Sequence, residues 1–142
     1  MEFHKLPAHE IAEGVKNGRW TASEVLSAHL ERIKKFDDKI NSVVTLSEES
    51  ALRDAKDIDS KVAGGEDPGP LAGVPFLVKD NFCTEGIRTT CCSKMLDDWV
   101  PDYDATAVKR MKEAGAVLMG KTNMDEFAMG STTESSIFGP TL

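Results

Sequence analysis

The chain has 142 residues with 17 Lys and Arg, 24 Asp and Glu, and a formal net charge of −7. The acidic excess is spread along it, with no Lys/Arg cluster, so the electrostatic footprint of a nucleic-acid binder is missing. No apolar run approaches the ~20 residues of a membrane helix, no secretory h-region follows Met1, and 40% hydrophobic with 29% charged residues is ordinary globular composition.

In chain order, Leu6, Ile11 and Val15 predict a short amphipathic helix ended by Asn17-Gly18. Thr21 and Glu24 then form a capping-box pattern: the hydroxyl takes a free backbone N–H, and the carboxylate reaches back. Val25, Leu26, Leu30, Ile33 and Phe36 continue one apolar helical face. Ile40 to Leu46 is short and β-rich, predicting a strand. Ser47 caps a further helix with Ala51, Leu52, Ala55, Ile58 and Val62 on one face, and Glu48 and Glu49 suit its dipole. Gly64 to Pro70 is the clearest loop.

The second half has a different rhythm. Val74 to Val78 is a compact apolar run, read as a buried strand with Pro75 at the edge of pairing. It ends in Lys79-Asp80-Asn81. A polar, turn-rich stretch reaches about residue 103, with a short helix near Lys94 to Asp98. Asp104 is placed to cap a helix with Ala107, Val108, Met111 and Ala114. Gly115 stops it, and Ala116 to Met119 resumes as a strand. This is a βαβ-like unit with a parallel connection. Asn123 to Glu126 predicts one more helix start, followed by apolar Phe127 and Met129.

Cys83, Cys91 and Cys92 match neither a zinc pattern nor a C-x-x-C motif and read as reduced thiols. His4, His9 and His29 have no ligand partners at metal-binding spacing, so no metal site is expected. Gly64, Gly65 and Gly69 form no phosphate-binding loop.

Lys79 is the leading candidate for chemistry. Ligands gather at the carboxyl ends of strands in open α/β sheets. A lysine held there against apolar walls loses solvation in its charged form, which lowers its pKa and makes it a base or a Schiff-base nucleophile. The alternative is a surface lysine paired with Asp80. Gly130 to Ser136 is the second candidate, a run of small hydroxyl residues that either lines a pocket or forms an exposed loop. No serine has the G-x-S-x-G setting.

Residues 70–81 (PLAGVPFLVKDN) resemble the block around the catalytic lysine of the amidase signature family. Residues 120–134 (GKTNMDEFAMGSTTE), with Phe138-Gly-Pro140, resemble its second block, and Thr89-Thr90-Cys91 and Tyr103 to Thr106 fit the same family. The wording is nearest the branch that serves tRNA-dependent amidotransferases. The resemblance implies an α/β fold, a mixed sheet flanked by helices, of which this chain holds only the N-terminal part. Residues 1–142 would be the front of one amidase domain, with 1–63 a helical region carrying one strand and 70–142 the start of the catalytic core. It implies amide hydrolysis by a Ser–cis-Ser–Lys triad with Lys79 as the lysine, and substrate contacts at Met129, Gly130 and Ser131. Both triad serines belong to a Gly/Ser-rich segment expected after Leu142, so the chain alone is expected to be inactive and to leave a sheet edge and apolar faces uncovered.

The resemblance further implies a glutaminase component that passes ammonia to a B subunit, with a small C subunit completing the assembly. ATP and Mg²⁺ would sit on the B subunit, with none on this chain. Glutamine would be bound directly and tRNA only through the partner, in the cytoplasm or an organellar matrix and away from membranes. Two alternatives stand beside this: a family amidase acting on small or fatty amides, and a non-catalytic partner-binding fragment.

Overall fold

A computed structural model describes residues 1–142. Four α-helices and three strands follow the order α1 (Ala8–Lys16), α2 (Ala22–Ile40), β1 (Val43–Leu46), α3 (Glu48–Ala63), β2 (Pro75–Lys79), α4 (Thr106–Glu113) and β3 (Val117–Thr122). Short 3-10 turns occur at Phe3–Lys5, Lys94–Leu96 and Glu126–Ala128. No helix is long and apolar enough to cross a membrane.

The strands form one sheet in the order β1-β3-β2. β1 runs antiparallel to β3, with Val43 opposite Thr122 and Leu46 opposite Gly120, and an irregularity between Val43 and Thr45. β2 runs parallel to β3. Val117 N–H donates to Val74 O (2.9 Å) and Asp80 N–H to Thr122 O (3.1 Å), so both strands advance together. The sheet is therefore mixed, as expected. Only central β3 is buried along nearly its whole length; β1 and β2 are edges and half-exposed. The expected buried strand at residues 74–78 is thus half-buried, and Pro75 sits on an edge strand, where its missing N–H does no harm.

The chain divides into two compact units. The first gathers residues 1–32, 48–76 and 110–119 and contains the Gly64–Pro70 loop. Its interior is apolar: Val15, Val25, Leu26, Ala51, Ala55, Val117 and Leu118 are all essentially without solvent contact. The capping box at the start of α2 is closed both ways. Glu24 N–H donates to Thr21 Oγ1 (3.0 Å), and Thr21 N–H donates to Glu24 Oε2 (2.8 Å). Asp59 on α3 caps the same end from outside, accepting from Ala22 N (2.6 Å), Ser23 N (3.2 Å) and Ser23 Oγ (2.6 Å).

The second unit gathers residues 33–47, 77–109 and 120–142. Helix α2 continues into it to Ile40, where the strand was expected to begin, and β1 starts three residues later at Val43. Asn41 stops the helix with a left-handed backbone (φ 58°). Asp37 then accepts from the N–H groups of Ser42 and Val43 (3.0 Å each), aiming the chain into β1. Beyond Leu30 the apolar face of α2 is poorly covered, and Phe36 and Ile40 are each 39% exposed.

Two other predicted starts change. α4 begins at Thr106, and Asp104 Oδ1 accepts from Glu85 N–H (2.8 Å). No α-helix forms from Asn123 to Glu126. Phe127 (φ 52°) and Ala128 (φ 61°) are left-handed, and Asn123 and Asp125 satisfy loop groups instead.

Candidate active site

The interior of the second unit is polar. Asp80, Thr84, Thr89, Thr90, Cys92 and Lys121 have no solvent contact. A lysine and an aspartate buried this deeply need partners, since an unpaired charge in a low-dielectric interior is strongly disfavoured. Lys121 Nζ donates to Phe82 O (2.7 Å), Thr89 Oγ1 (2.7 Å) and Thr84 Oγ1 (3.2 Å), using all three of its hydrogens. It lies 3.6 Å from Asp80 Oδ1. Burial pushes the Lys121 ammonium below the ordinary lysine value, and the Asp80 carboxylate opposes that shift. Asp80 Oδ2 accepts from Thr90 N (3.1 Å), Thr90 Oγ1 and Cys92 N (3.4 Å). Asp80 Oδ1 has no hydrogen bond, so its stabilisation is the charge of Lys121 alone.

Lys79 is the last residue of β2, at the carboxyl end of the parallel pair, and its side chain is exposed. The apolar enclosure expected around it is not provided by these 142 residues; the desolvated lysine is Lys121. Alternation along the chain explains why Lys79 and Asp80 point apart, because successive side chains leave a strand on opposite faces. Asp80 turns inward to Lys121 and is therefore not the surface partner of Lys79. The turn after the strand is fixed by Phe82 N–H donating to Lys79 O (3.0 Å), and Cys91 N–H donates to Asp80 O (2.9 Å).

Met129, Gly130 and Ser131 share an exposed loop, with Met129 83% exposed. Asp125 organises that loop. Its Oδ2 accepts from Thr132 N (3.0 Å) and Thr133 N (2.8 Å), and its Oδ1 from Ser135 Oγ (2.9 Å) and Ser135 N (3.4 Å). The Thr133 N–H, with the Ser135 and Thr132 groups, holds the Asp125 carboxyl below its usual range. A Cβ added at Gly130 would lie 2.5 Å from Asp125 Cγ, so glycine lets the backbone pass the carboxylate this closely. Ser131 is exposed, while Ser135 and Ser136 are engaged with Asp125 and Phe138 N–H.

Asn41 and Asn123 clamp residues 138–141. Asn41 Nδ2 donates to Phe138 O (2.8 Å), Gly139 O (3.2 Å) and Pro140 O (3.1 Å), and Asn123 Nδ2 donates to Gly139 O (2.8 Å) and Asn41 O (3.0 Å).

All three cysteines are free. Burial raises the Cys91 and Cys92 thiols above their ordinary value. No cluster of three or more His, Cys, Asp or Glu side chains could hold a metal ion.

Sequence reasoning missed Lys121, Asp125 and the two asparagines. The available signal for Lys121 was a cation placed just after the apolar run Ala116 to Met119, inside the same strand. For Asp125 it was an acid followed by Gly130 and a hydroxyl-rich run with many free N–H groups.

Comparison with known proteins agrees with this architecture. The chain is 55% identical over 141 residues to the A subunit of the glutamyl-tRNA(Gln) amidotransferase of Carboxydothermus hydrogenoformans, covering 99% of this chain and 29% of that protein. The structure of the peptide amidase from Stenotrophomonas maltophilia superposes with a TM-score of 0.88 at 30% identity, over 99% of this chain and 30% of that one. The A subunit of the Thermotoga maritima glutamyl-tRNA(Gln) amidotransferase superposes with a TM-score of 0.77 at 36% identity, over 99% and 28%. This chain therefore spans under a third of the length of the relatives it matches. The family model of the amidases matches residues 24–142. With that match over most of its length and an α/β fold built around a mixed sheet, the chain belongs to the amidase signature family.

Proposed function

We propose that these residues form the N-terminal part of the A subunit of a tRNA-dependent amidotransferase, a glutamine amidohydrolase that supplies ammonia for amidating glutamyl- or aspartyl-tRNA. Lys79 is the catalytic base. One observation carries the reading: Lys79 ends an edge strand of the parallel pair with its amine exposed, on a turn whose neighbouring residue is locked in a buried polar network. In its neutral form, an amine on a fixed support can receive a proton from a serine brought to it by another part of the chain. In the family's chemistry the bridging cis-serine relays that proton, and the nucleophilic serine attacks the amide. Neither serine is among these 142 residues, so the isolated chain has no glutaminase activity.

The loop of Met129, Gly130 and Ser131 faces the substrate, held by Asp125. The acidic chain leaves tRNA to the B subunit, which also carries ATP and Mg²⁺, and the C subunit completes the complex in the cytoplasm or an organellar matrix. The identity to glutamyl-tRNA(Gln) amidotransferase A subunits supports glutamine as the amide. The fold shared with a peptide amidase shows that the same scaffold serves other amides, so the substrate must be tested directly. The full-length protein, assembled with B and C subunits and ATP, is expected to convert glutamyl-tRNA(Gln) to glutaminyl-tRNA(Gln) with glutamine as nitrogen donor. Efficient hydrolysis of simple or fatty amides, without glutamine-dependent amidation, would assign it to the other branch of the family.

A further inference from the structure

Buried ion pairs are weak evidence for stability, because desolvation offsets most of their attraction and an apolar pair of similar shape often does as well. The Asp80–Lys121 pair is an extreme case. It has no direct hydrogen bond, and its 3.6 Å separation leaves Asp80 Oδ1 with only electrostatic support. What the pair does accomplish is geometric, and it bears on the residue beside it.

We propose that the Asp80–Lys121 pair is a positioning device for the Lys79 amine, fixing the 79–82 turn from its buried side so that Lys79 leaves the sheet in one direction. This rests on the reading of Lys79 as the catalytic base. The turn is held at several points. Asp80 N–H donates to Thr122 O (3.1 Å), and Asp80 O accepts from Cys91 N–H (2.9 Å). The Asp80 carboxylate takes the N–H groups of Thr90 and Cys92. Lys121 holds Phe82 O at 2.7 Å, while Phe82 N–H holds Lys79 O at 3.0 Å. The Lys121 ammonium and the Lys79 carbonyl are therefore linked through one residue, Phe82. Lys121 is itself fixed by Thr84 and Thr89, whose hydroxyls are 3.1 Å apart. Lys121 sits on central β3 and Asp80 directly follows β2, so the pair ties the end of β2 to the most buried strand of the sheet. Neither residue reaches substrate, since both lack solvent contact. They act through Lys79.

The test uses the full-length protein in its amidotransferase complex, with glutamine hydrolysis followed by ammonia release. Lys121→Met is expected to lower kcat by about 10²-fold with KM changed less than about threefold, the pattern of a misplaced base and an intact substrate site. Thr89→Val, which removes one support of Lys121 and keeps both charges, is expected to lower kcat by about three- to tenfold in a folded protein, and it keeps the test open if Lys121→Met does not fold. The double variant Asp80→Asn, Lys121→Met removes the uncompensated charge. It is expected to recover the melting temperature without recovering kcat. Recovery of both together would mean that the pair is merely structural and would overturn the inference, as would wild-type kcat in Lys121→Met. Lys79→Ala separates the two layers. If it is inactive while Lys121→Met turns over normally, the positioning inference alone falls. If Lys79→Ala hydrolyses glutamine at the wild-type rate, the assignment of the base fails and takes this inference with it.

Discussion

Gly120→Ala sets two effects of opposite sign against each other. Replacing glycine by alanine inside a strand ordinarily stabilises by roughly 0.5–1 kcal/mol, because glycine loses more backbone freedom on folding. At this position the sheet forbids it. An added Cβ would lie 2.1 Å from Thr45 O and 3.1 Å from Leu46 Cα, and both contacts are to backbone. A side chain could swing away, but here β1 must retreat by roughly 1 Å, a displacement that overpacking normally resolves at about 1–3 kcal/mol. The β1–β3 pairing around Thr45–Lys121 and Leu46–Gly120 is loosened at the same time, at about 1 kcal/mol for a ladder bond lost. Clash and lost pairing outweigh the entropic gain, and the expected net loss of local stability is about 1–3.5 kcal/mol. Native-state amide exchange on the full-length protein reads this locally. Protection is expected to fall across Val43 to Leu46 and to persist at Asp80, whose N–H bonds the other side of β3 at Thr122 O. Unchanged or greater protection in β1 would show that the close approach of Gly120 to Thr45 is not part of the folded protein.

Asp59→Ala removes three hydrogen bonds from the start of α2 and is expected to destabilise by about 1–2 kcal/mol, seen as a lower melting temperature, with Asp59→Asn recovering part of it. Asp125 makes the 126–136 loop acid-sensitive. Its folded pKa lies below 3.8, so its contribution is fully present above that value and is lost as pH falls through the lowered pKa. Amide protection at Thr132, Thr133 and Ser135 is therefore expected to hold near neutrality and to disappear only below pH 3.8, whereas loss near pH 5 would contradict the assigned hydrogen bonds. Lys16→Ala deletes an exposed pair with Asp67 (3.2 Å) and is expected to leave the melting temperature unchanged; a clear drop would mean that this surface contact is stronger than its exposure allows.

Most of the secondary structure was legible because it rests on local rules. The Thr21–Glu24 box, the apolar period of α2 and α3, and Pro75 at a strand edge each follow from residues within a few positions of one another. The errors arose where side chains override local preference. Asn41 and Asp37 move the start of β1, and Asp125 draws the following residues into a loop where a helix was expected. Lys79 could be singled out because it follows an apolar strand directly. Lys121 also follows an apolar run, yet what makes it important lies 32 to 41 positions earlier, in Asp80, Phe82, Thr84 and Thr89. No periodicity encodes such a meeting. The Asn123 to Asn41 bond spans 82 positions and is invisible for the same reason.

The proposed function rests on Lys79 as the base of an amide-hydrolysing triad. Ammonia release from glutamine by the full-length protein tests it most directly. Lys79→Ala is expected to lower the rate by about 10²–10⁴-fold with the fold intact, and residues 1–142 alone are expected to release none. A near wild-type rate in Lys79→Ala, or appreciable turnover by residues 1–142 alone, would contradict the account.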